Sequence, residues 1–214
     1  MTDPSDYLQR QYEQADPWAF ETSAYERRKY DRQLRAIDDR VEDPDRILEL
    51  GSAEGAFTSL LADEFSGAEI HGVEFVSEAV QRARDRLSDD AVRFFERDLE
   101  EFLTERTGTY DVIVWSETVY YVGANHSLPD LDRLVRTVAD RLAGDGLLCM
   151  ANIIGQEGDY EEPLTRRPIM NAYYELLAGE LTPLQRAVYH ERKAEMDERN
   201  EYQIWLFGGP DAAD

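Results

Sequence analysis

The spacing of apolar positions changes partway along the chain, and the change divides it. From Asp16 to Arg40, Trp18, Phe20, Tyr25, Tyr30, Leu34 and Ile37 recur at helical intervals. This predicts an amphipathic helix with Pro17 near its start, preceded by a shorter helix around Tyr7–Gln14. After Pro44, short apolar runs alternate with helical patterns: strand 46–50, helix 56–64, strand 69–73, helix 77–87, strand 91–95, short helix 99–103, strand 110–115, helix 128–142 and strand 146–152. Strand, helix, strand at this spacing predicts a parallel sheet with right-handed crossovers. The end breaks the rhythm. After a helix near 169–178, two strand-like runs, 185–195 and 201–207, follow one another across the polar link "MDERN", which predicts an antiparallel hairpin. The expected fold is α/β, a mostly parallel seven-stranded sheet ending in an antiparallel hairpin, with 1–44 as an N-terminal helical cap and 45–214 as the main domain.

In an open α/β sheet, ligands gather outside the carboxyl ends of the strands, so the strand-end residues carry the functional reading. The first strand runs into Glu49-Leu50-Gly51-Ser52-Ala53-Glu54-Gly55. A dinucleotide fingerprint wants glycine where Ala53 and Ala56 stand, and a phosphate loop wants a lysine followed by Ser or Thr, which this turn lacks. Gly51 and Gly55 still permit close backbone approach. Glu49 and Glu54 disfavour a pyrophosphate and suit a ligand carrying a positive group. The second strand ends at Glu74, 23 residues after Gly51, where an acid accepts both hydroxyls of a ribose. Asp98, after the third strand, falls beside the place of an adenine and also fits the N-cap of the helix at Leu99; both roles can hold together. The fourth strand runs out into Ser116-Glu117 and then Tyr120-Tyr121, an acid and two phenols at the reactive edge. Ser116 alone also fits the start of a capping box.

Composition narrows the partners. The formal charge is -23, the acids are spread along the chain, and Lys29 and Lys193 are the only lysines against 21 arginines. An acidic, lysine-poor surface suits a halophilic, high-salt cytoplasm, where salt screens self-repulsion. Such a surface repels phosphate backbones, so neither nucleic acid nor an anionic membrane is an expected partner. No apolar run reaches membrane-spanning length, and "MTDPSDYLQR" has no apolar signal core, so a cytoplasmic protein is expected. The single cysteine, Cys149 in "LLCMANII", excludes an intramolecular disulfide and reads as a small buried hydrophobe. His71, His126 and His190 lie far apart without partners at ligand spacing, so no metal site is expected, and His71 reads as a core strand histidine.

Together the four strand ends resemble class I S-adenosylmethionine-dependent methyltransferases with their Rossmann-like fold. "LELGSAEGAFTSLLA" is similar to that family's first motif, "VEFVSEAVQRARDRL" to its second strand and following helix, and "DLEEF" and "YDVIVWSETVYYV" to its third and fourth motifs. The terminal hairpin matches the family's last two strands. "DPWAFETSAYERRKYDRQL" with "SETVYYV" also resembles the nodulation protein S (NodS-like) group, which methylates the free amine of a glucosamine in a chitin-type oligosaccharide. The resemblance implies S-adenosylmethionine as cofactor, S-adenosylhomocysteine as product, and a small-molecule or saccharide acceptor, with N-methylation favoured over O-methylation. A non-catalytic cofactor-binding protein of the same fold is the reading from another class.

By that resemblance Glu49, Gly51, Ser52, Ala53 and Gly55 hold the methionine end, Glu74 with Phe75 the ribose, and Asp98 with Leu99 the adenine. Ser116 lies at the same edge. Trp18 and Tyr25 either close over the cofactor or simply pack the cap. Glu117 takes the acceptor's proton or holds its ammonium while water deprotonates it, and Tyr120 and Tyr121 contact the acceptor by hydrogen bonds or stacking.

Overall fold

The alternating segments assemble into one seven-stranded sheet in the computed structural model, which describes residues 4–20, 22–155, 163–193 and 198–212. The strands are β1 Arg46–Leu50, β2 Glu69–Glu74, β3 Val92–Glu96, β4 Tyr110–Val114, β5 Leu142–Ile154, β6 Thr182–Lys193 and β7 Glu198–Gly208. Their spatial order is β3-β2-β1-β4-β5-β7-β6. Strands β1 to β5 pair in parallel, β7 runs antiparallel to β5, and β6 antiparallel to β7. The order reverses at β1, which has β2 on one side and β4 on the other, so the chain leaves β1 and β4 in opposite directions and opens a crevice at their carboxyl ends.

Helices cover both faces, which is why the central strands are apolar almost throughout. On one face Leu48, Leu50, Ile113, Trp115, Leu148, Met150, Trp205 and Phe207 pack under α5 (Leu99–Glu105), α7 (Leu128–Arg141) and α8 (Arg167–Glu180). On the other, Ile47, Ile70, Val112, Val114, Leu147, Cys149 and Leu206 pack against α2 (Ala24–Asp38), α3 (Ala56–Glu64) and α4 (Ser77–Arg86). Cys149 is free and buried, and burial raises its thiol pKa to about 12, so it behaves as a hydrophobe. His71 is buried too; its Nδ1 shares a hydrogen bond with the Tyr110 hydroxyl at 2.9 Å.

Two expectations need correction. The long helix drawn from Asp16 to Arg40 starts only at Ala24, with Ser23 at its N-cap, and α1 spans Pro4–Gln11. Asp16 and Ala19 take left-handed φ values of 47° and 57°, which no right-handed helix accommodates. Their aromatic neighbours belong to a folded strap: Trp18 packs on Tyr12 at 5.2 Å and on Phe20 at 5.5 Å between ring centroids. At the other end, Glu198–Asn200 of the expected polar link already belong to β7, and β6 begins at Thr182. Ala194 and Glu195 lie outside the described residues. A short helix that apolar spacing did not signal, α6 (Val119–Ala124), follows β4.

An ion pair on a buried carboxylate fastens the strap. Glu54 is 2% exposed. It accepts the Asp16 amide at 3.0 Å and pairs with Arg82 at 2.6 Å, while Arg82 also donates to the carbonyls of Tyr12 and Gln14. The expectation that Glu54 faces the ligand is thereby overturned: its charge is spent on holding residues 12–16 against α4. Replacing Arg82 by Ala leaves the Glu54 carboxylate buried without its cation and is expected to cost about 3 kcal/mol of stability. Chemical denaturation reads that cost, and limited proteolysis within residues 12–20 should accelerate in parallel.

Candidate functional site

The crevice predicted by the strand order is a cavity of about 980 Å³ at the carboxyl ends of β1, β2 and β4. The β1 turn forms its floor. Gly51 (φ 81°), Ala53 (φ 49°) and Gly55 (φ 75°) all take left-handed backbone. At Gly51 a β-carbon would run into the Thr118 methyl group, so glycine is required there on both counts. Ala53 bears the same backbone, packs against the cluster of Tyr12, Val76 and Ala79, and its amide donates to Glu74 Oε2 at 3.2 Å.

Two carboxylates end neighbouring strands in this floor. Glu49, 6% exposed, accepts the Thr58 hydroxyl at 2.5 Å and has no basic side chain paired with it among the described residues. Burial raises its pKa to about 8, against the Thr58 hydrogen bond and with help from the neighbouring Glu74 charge. Glu74 is 8% exposed; its oxygens accept the amides of Phe75 at 2.8 Å, Val76 at 3.0 Å and Ala53. Burial still raises its pKa, although these amides favour the anion. Ser52 Oγ and Thr118 Oγ1 also line the cavity, buried and without a hydrogen-bond partner among the described residues.

Around this floor the structure gathers every site residue that the resemblance implied except Gly55, which shapes the turn from behind against Phe94 and Ala83. Asp98 and Leu99 lie on the cavity wall, and Asp98 also caps α5, accepting the amides of Glu100 at 2.8 Å and Glu101 at 3.3 Å. Ser116 starts no helix; it donates to Gln33 at 2.7 Å and accepts the Ala151 amide at 2.9 Å, joining α2 to the β4 end. The two cap aromatics part company. Trp18 lines the cavity and packs on the small cluster of Tyr12, Val76 and Ala79, whereas Tyr25 lies against β7 with its hydroxyl 2.5 Å from that of Tyr202.

A second, acidic lobe surrounds Glu117. This residue is held at φ 56°, a strained backbone for a residue with a side chain. Its Oε2 accepts the Tyr120 hydroxyl at 2.8 Å and the Ile153 amide at 3.4 Å, and its Oε1 lies 3.3 Å from Lys29 Nζ. Tyr121 stacks on Tyr7 of α1, with 6.4 Å between ring centroids. Sequence reasoning missed Lys29, Glu26 and Tyr202 here. Lys29 and Glu26 fall on the same turn of an evidently amphipathic helix and carried no motif, and only burial distinguishes them: Lys29 is 5% and Glu26 6% exposed. Among the described residues no His, Cys, Asp and Glu cluster could hold a metal ion, and no helix is long and apolar enough to cross a membrane.

The raised pKa of Glu49 has a stability consequence. The folded protein binds a proton that the unfolded chain has released, so stability falls as pH rises from about 4.5 to about 8. The slope from this group approaches about 1.4 kcal/mol per pH unit at most. Thermal unfolding against pH measures it, and Glu49→Gln should flatten that part of the profile.

Comparison with known proteins places this geometry. The sequence model of the family described as Nodulation protein S (NodS) matches residues 2–154. Nodulation protein S of Bradyrhizobium diazoefficiens is 31% identical over 142 residues, 66% of this chain and 64% of that protein. A malonyl-[acyl-carrier protein] O-methyltransferase of Geobacter sulfurreducens is 30% identical over 60% of this chain and 46% of its own length. The chain thus spans less than two thirds of the length of these curated relatives. The crystal structure of the N-methyltransferase NodS from Bradyrhizobium japonicum WM9 in complex with S-adenosyl-L-homocysteine superposes with a TM-score of 0.75. It covers 97% of this chain and 99% of that one at 21% identity, so the seven-stranded Rossmann-like methyltransferase fold is shared throughout. By sequence motif, strand order and fold, this chain belongs to the nodulation protein S (NodS) family.

Proposed function

We propose that this chain is an S-adenosylmethionine-dependent methyltransferase that N-methylates the amino group of a small molecule or of an amino sugar. The observation that carries the reading is the pair of buried carboxylates, Glu49 and Glu74, ending adjacent strands inside one cavity with no basic side chain paired to either among the described residues. Buried charges of this kind call for a ligand that brings hydrogen-bond donors and positive charge. A nucleoside joined to an amino acid does both. The relatives' names support the choice: the structurally similar NodS is an N-methyltransferase crystallised with S-adenosyl-L-homocysteine.

The residues fit that cofactor. Glu49 would take the methionine ammonium, with the Gly51–Ala53 backbone beneath it; Glu74, whose oxygens retain lone pairs beyond the amides they accept, would take the ribose hydroxyls. Ser52 and Thr118 supply unused hydroxyls at the same level. Asp98 and Leu99 would flank the adenine, and Trp18 would close the floor from the strap. When bound, S-adenosylmethionine supplies an electrophilic methyl group on a sulfonium. The chain's own work lies in positioning and in the proton. An amine must be neutral to accept a methyl group, and Glu117, whose side chain is 28% exposed, is able to take the acceptor's proton and pass it to solvent. The hydroxyl of Tyr120 orients that carboxylate, and Tyr121 offers a face for a sugar ring. In this reading residues 1–44 form a cap over a domain of 45–214, and the -23 charge suits a high-salt cytoplasm and an acceptor that is not a nucleic acid.

Calorimetric titration with S-adenosylhomocysteine separates the roles. Glu74→Ala should weaken binding by about 1.5–3 kcal/mol, the scale of a charge-assisted hydrogen bond. Unchanged affinity would remove Glu74 from the ribose. Because free Glu49 is mostly protonated at pH 7, its pairing with an ammonium should release up to about one proton, read by repeating the titration in buffers of different ionisation heat. Glu117→Gln should leave that affinity within about twofold and lower turnover by about 100-fold or more, the range of general-base effects. Equal losses in both would contradict its place on the acceptor.

A further inference from the structure

The acidic lobe contains an internal cation that the motifs do not explain. Lys29 Nζ lies 2.8 Å from Glu26 Oε2 and 3.3 Å from Glu117 Oε1, and it sits over the ring of Tyr202 at 4.7 Å and that of Tyr25 at 5.3 Å from the centroids. Glu26, Lys29, Glu117, Tyr25 and Tyr202 all line the same cavity. A lysine buried to 5% is expensive unless paired, and a surface helix such as α2 has every opportunity to turn it outward. Two carboxylates and two aromatic faces instead hold it at the reactive edge, where Glu117 already carries backbone strain.

We propose that Lys29 is the positioning residue of the acceptor lobe: its ammonium fixes the Glu117 carboxylate and disfavours a second ammonium beside it, so the acceptor amine enters attack as the free base. The inference rests on the amine-methylating reading above and assigns a mechanism to its least sequence-visible residue. The proton balance is simple. The acceptor ammonium gives its proton to Glu117, leaving a neutral amine with its lone pair and a neutral carboxylic acid that reprotonates solvent before the next turnover. Lys29 itself exchanges no proton. Burial works against its charge, but Glu117 and Glu26 outweigh that cost and keep its pKa above the ordinary lysine value. The groups facing it are Tyr25, Glu26 and Tyr30 from α2, Glu117 beside Tyr120, Tyr189 from β6 and Tyr202 from β7, with Arg199 of β7 on the same cavity wall. None of these phenols ionises near neutral pH: burial raises Tyr25, Tyr30, Tyr120, Tyr189 and Tyr202 alike. The charges at this edge near neutrality are thus carried by carboxylates, Lys29 and Arg199.

The test uses the full chain, S-adenosylmethionine and a tetramer of β-1,4-linked glucosamine as the acceptor probe, with Lys29→Met and Lys29→Arg beside the native protein. Lys29→Met should lower kcat by about 100-fold while S-adenosylhomocysteine affinity stays within about twofold, and should move the acidic limb of the kcat/KM profile upward by on the order of one pH unit. Lys29→Arg, which keeps the charge, should return the limb to its native position. A Lys29→Met enzyme with the native pH limb overturns the proposal, as does an equal effect from both substitutions. A second arm needs no acceptor. In Lys29→Met the buried Glu26 and the half-buried Glu117 lose their cation, so the unfolding midpoint should fall more steeply than the native one as pH rises from 5 to 8, and adding Glu117→Gln should remove part of that slope. A slope unchanged from the native chain overturns the proposal whatever the acceptor. Failure of the native enzyme to methylate the tetramer contradicts the amino-sugar reading, and the acceptor-free arm still decides Lys29.

Discussion

The arrangement of this protein turns on two buried carboxyl groups that no basic side chain among the described residues pairs with. Glu49 and Glu74 end adjacent parallel strands, both nearly inaccessible, and their partners are a hydroxyl and backbone amides. Carboxylates normally escape such sites or acquire a cation, because desolvation disfavours the ionised form. Here the sheet topology prevents escape: the strand order reverses at β1, and the turn that leaves it is forced into left-handed backbone at Gly51, Ala53 and Gly55. The result is a pair of buried carboxyl groups held at the floor of the cavity, with their pKa values raised by burial.

The rest of the molecule divides the acidic side chains by task. Glu54, the residue after the central alanine of the same turn, is matched by Arg82 and serves to hold the N-terminal strap against α4. Glu117 is matched by Lys29 and by the Tyr120 hydroxyl, at the end of the next strand over. In one cavity, then, the carboxylate at the end of β4 has a protein cation, and the carboxylates at the ends of β1 and β2 have no basic side chain paired with them among the described residues. That asymmetry gives the cavity a direction.

The chain showed most of its fold through periodicity alone. Each of the five parallel strands and the closing hairpin follows from apolar spacing, and Glu49, Glu74, Asp98 and Glu117 follow from standing at strand ends. What stayed hidden depends on contacts between distant segments. The strap at 16–20 carries helix-like aromatic spacing but takes positive φ at Asp16 and Ala19, and Glu54 anchors it from a distant turn through the Asp16 amide. Lys29 lies in a run of charged residues, "ERRKYDR", in which each basic residue looks equally solvated; packing of α2 on β5 and β7 buries one of them. Glu54 misled in the opposite sense, because an acid in a ligand turn says nothing of which way its side chain points.

The central claim is that the uncompensated acids of β1 and β2 receive an S-adenosyl ligand. A crystal structure of the full chain soaked with S-adenosylhomocysteine tests it most directly. The ligand's ammonium is expected within hydrogen-bond distance of Glu49 (roughly 3 Å) and its ribose hydroxyls on Glu74, with the Lys29–Glu117 pair intact across the cavity. A ligand seated elsewhere, or in the cavity with neither carboxylate touched, would contradict it.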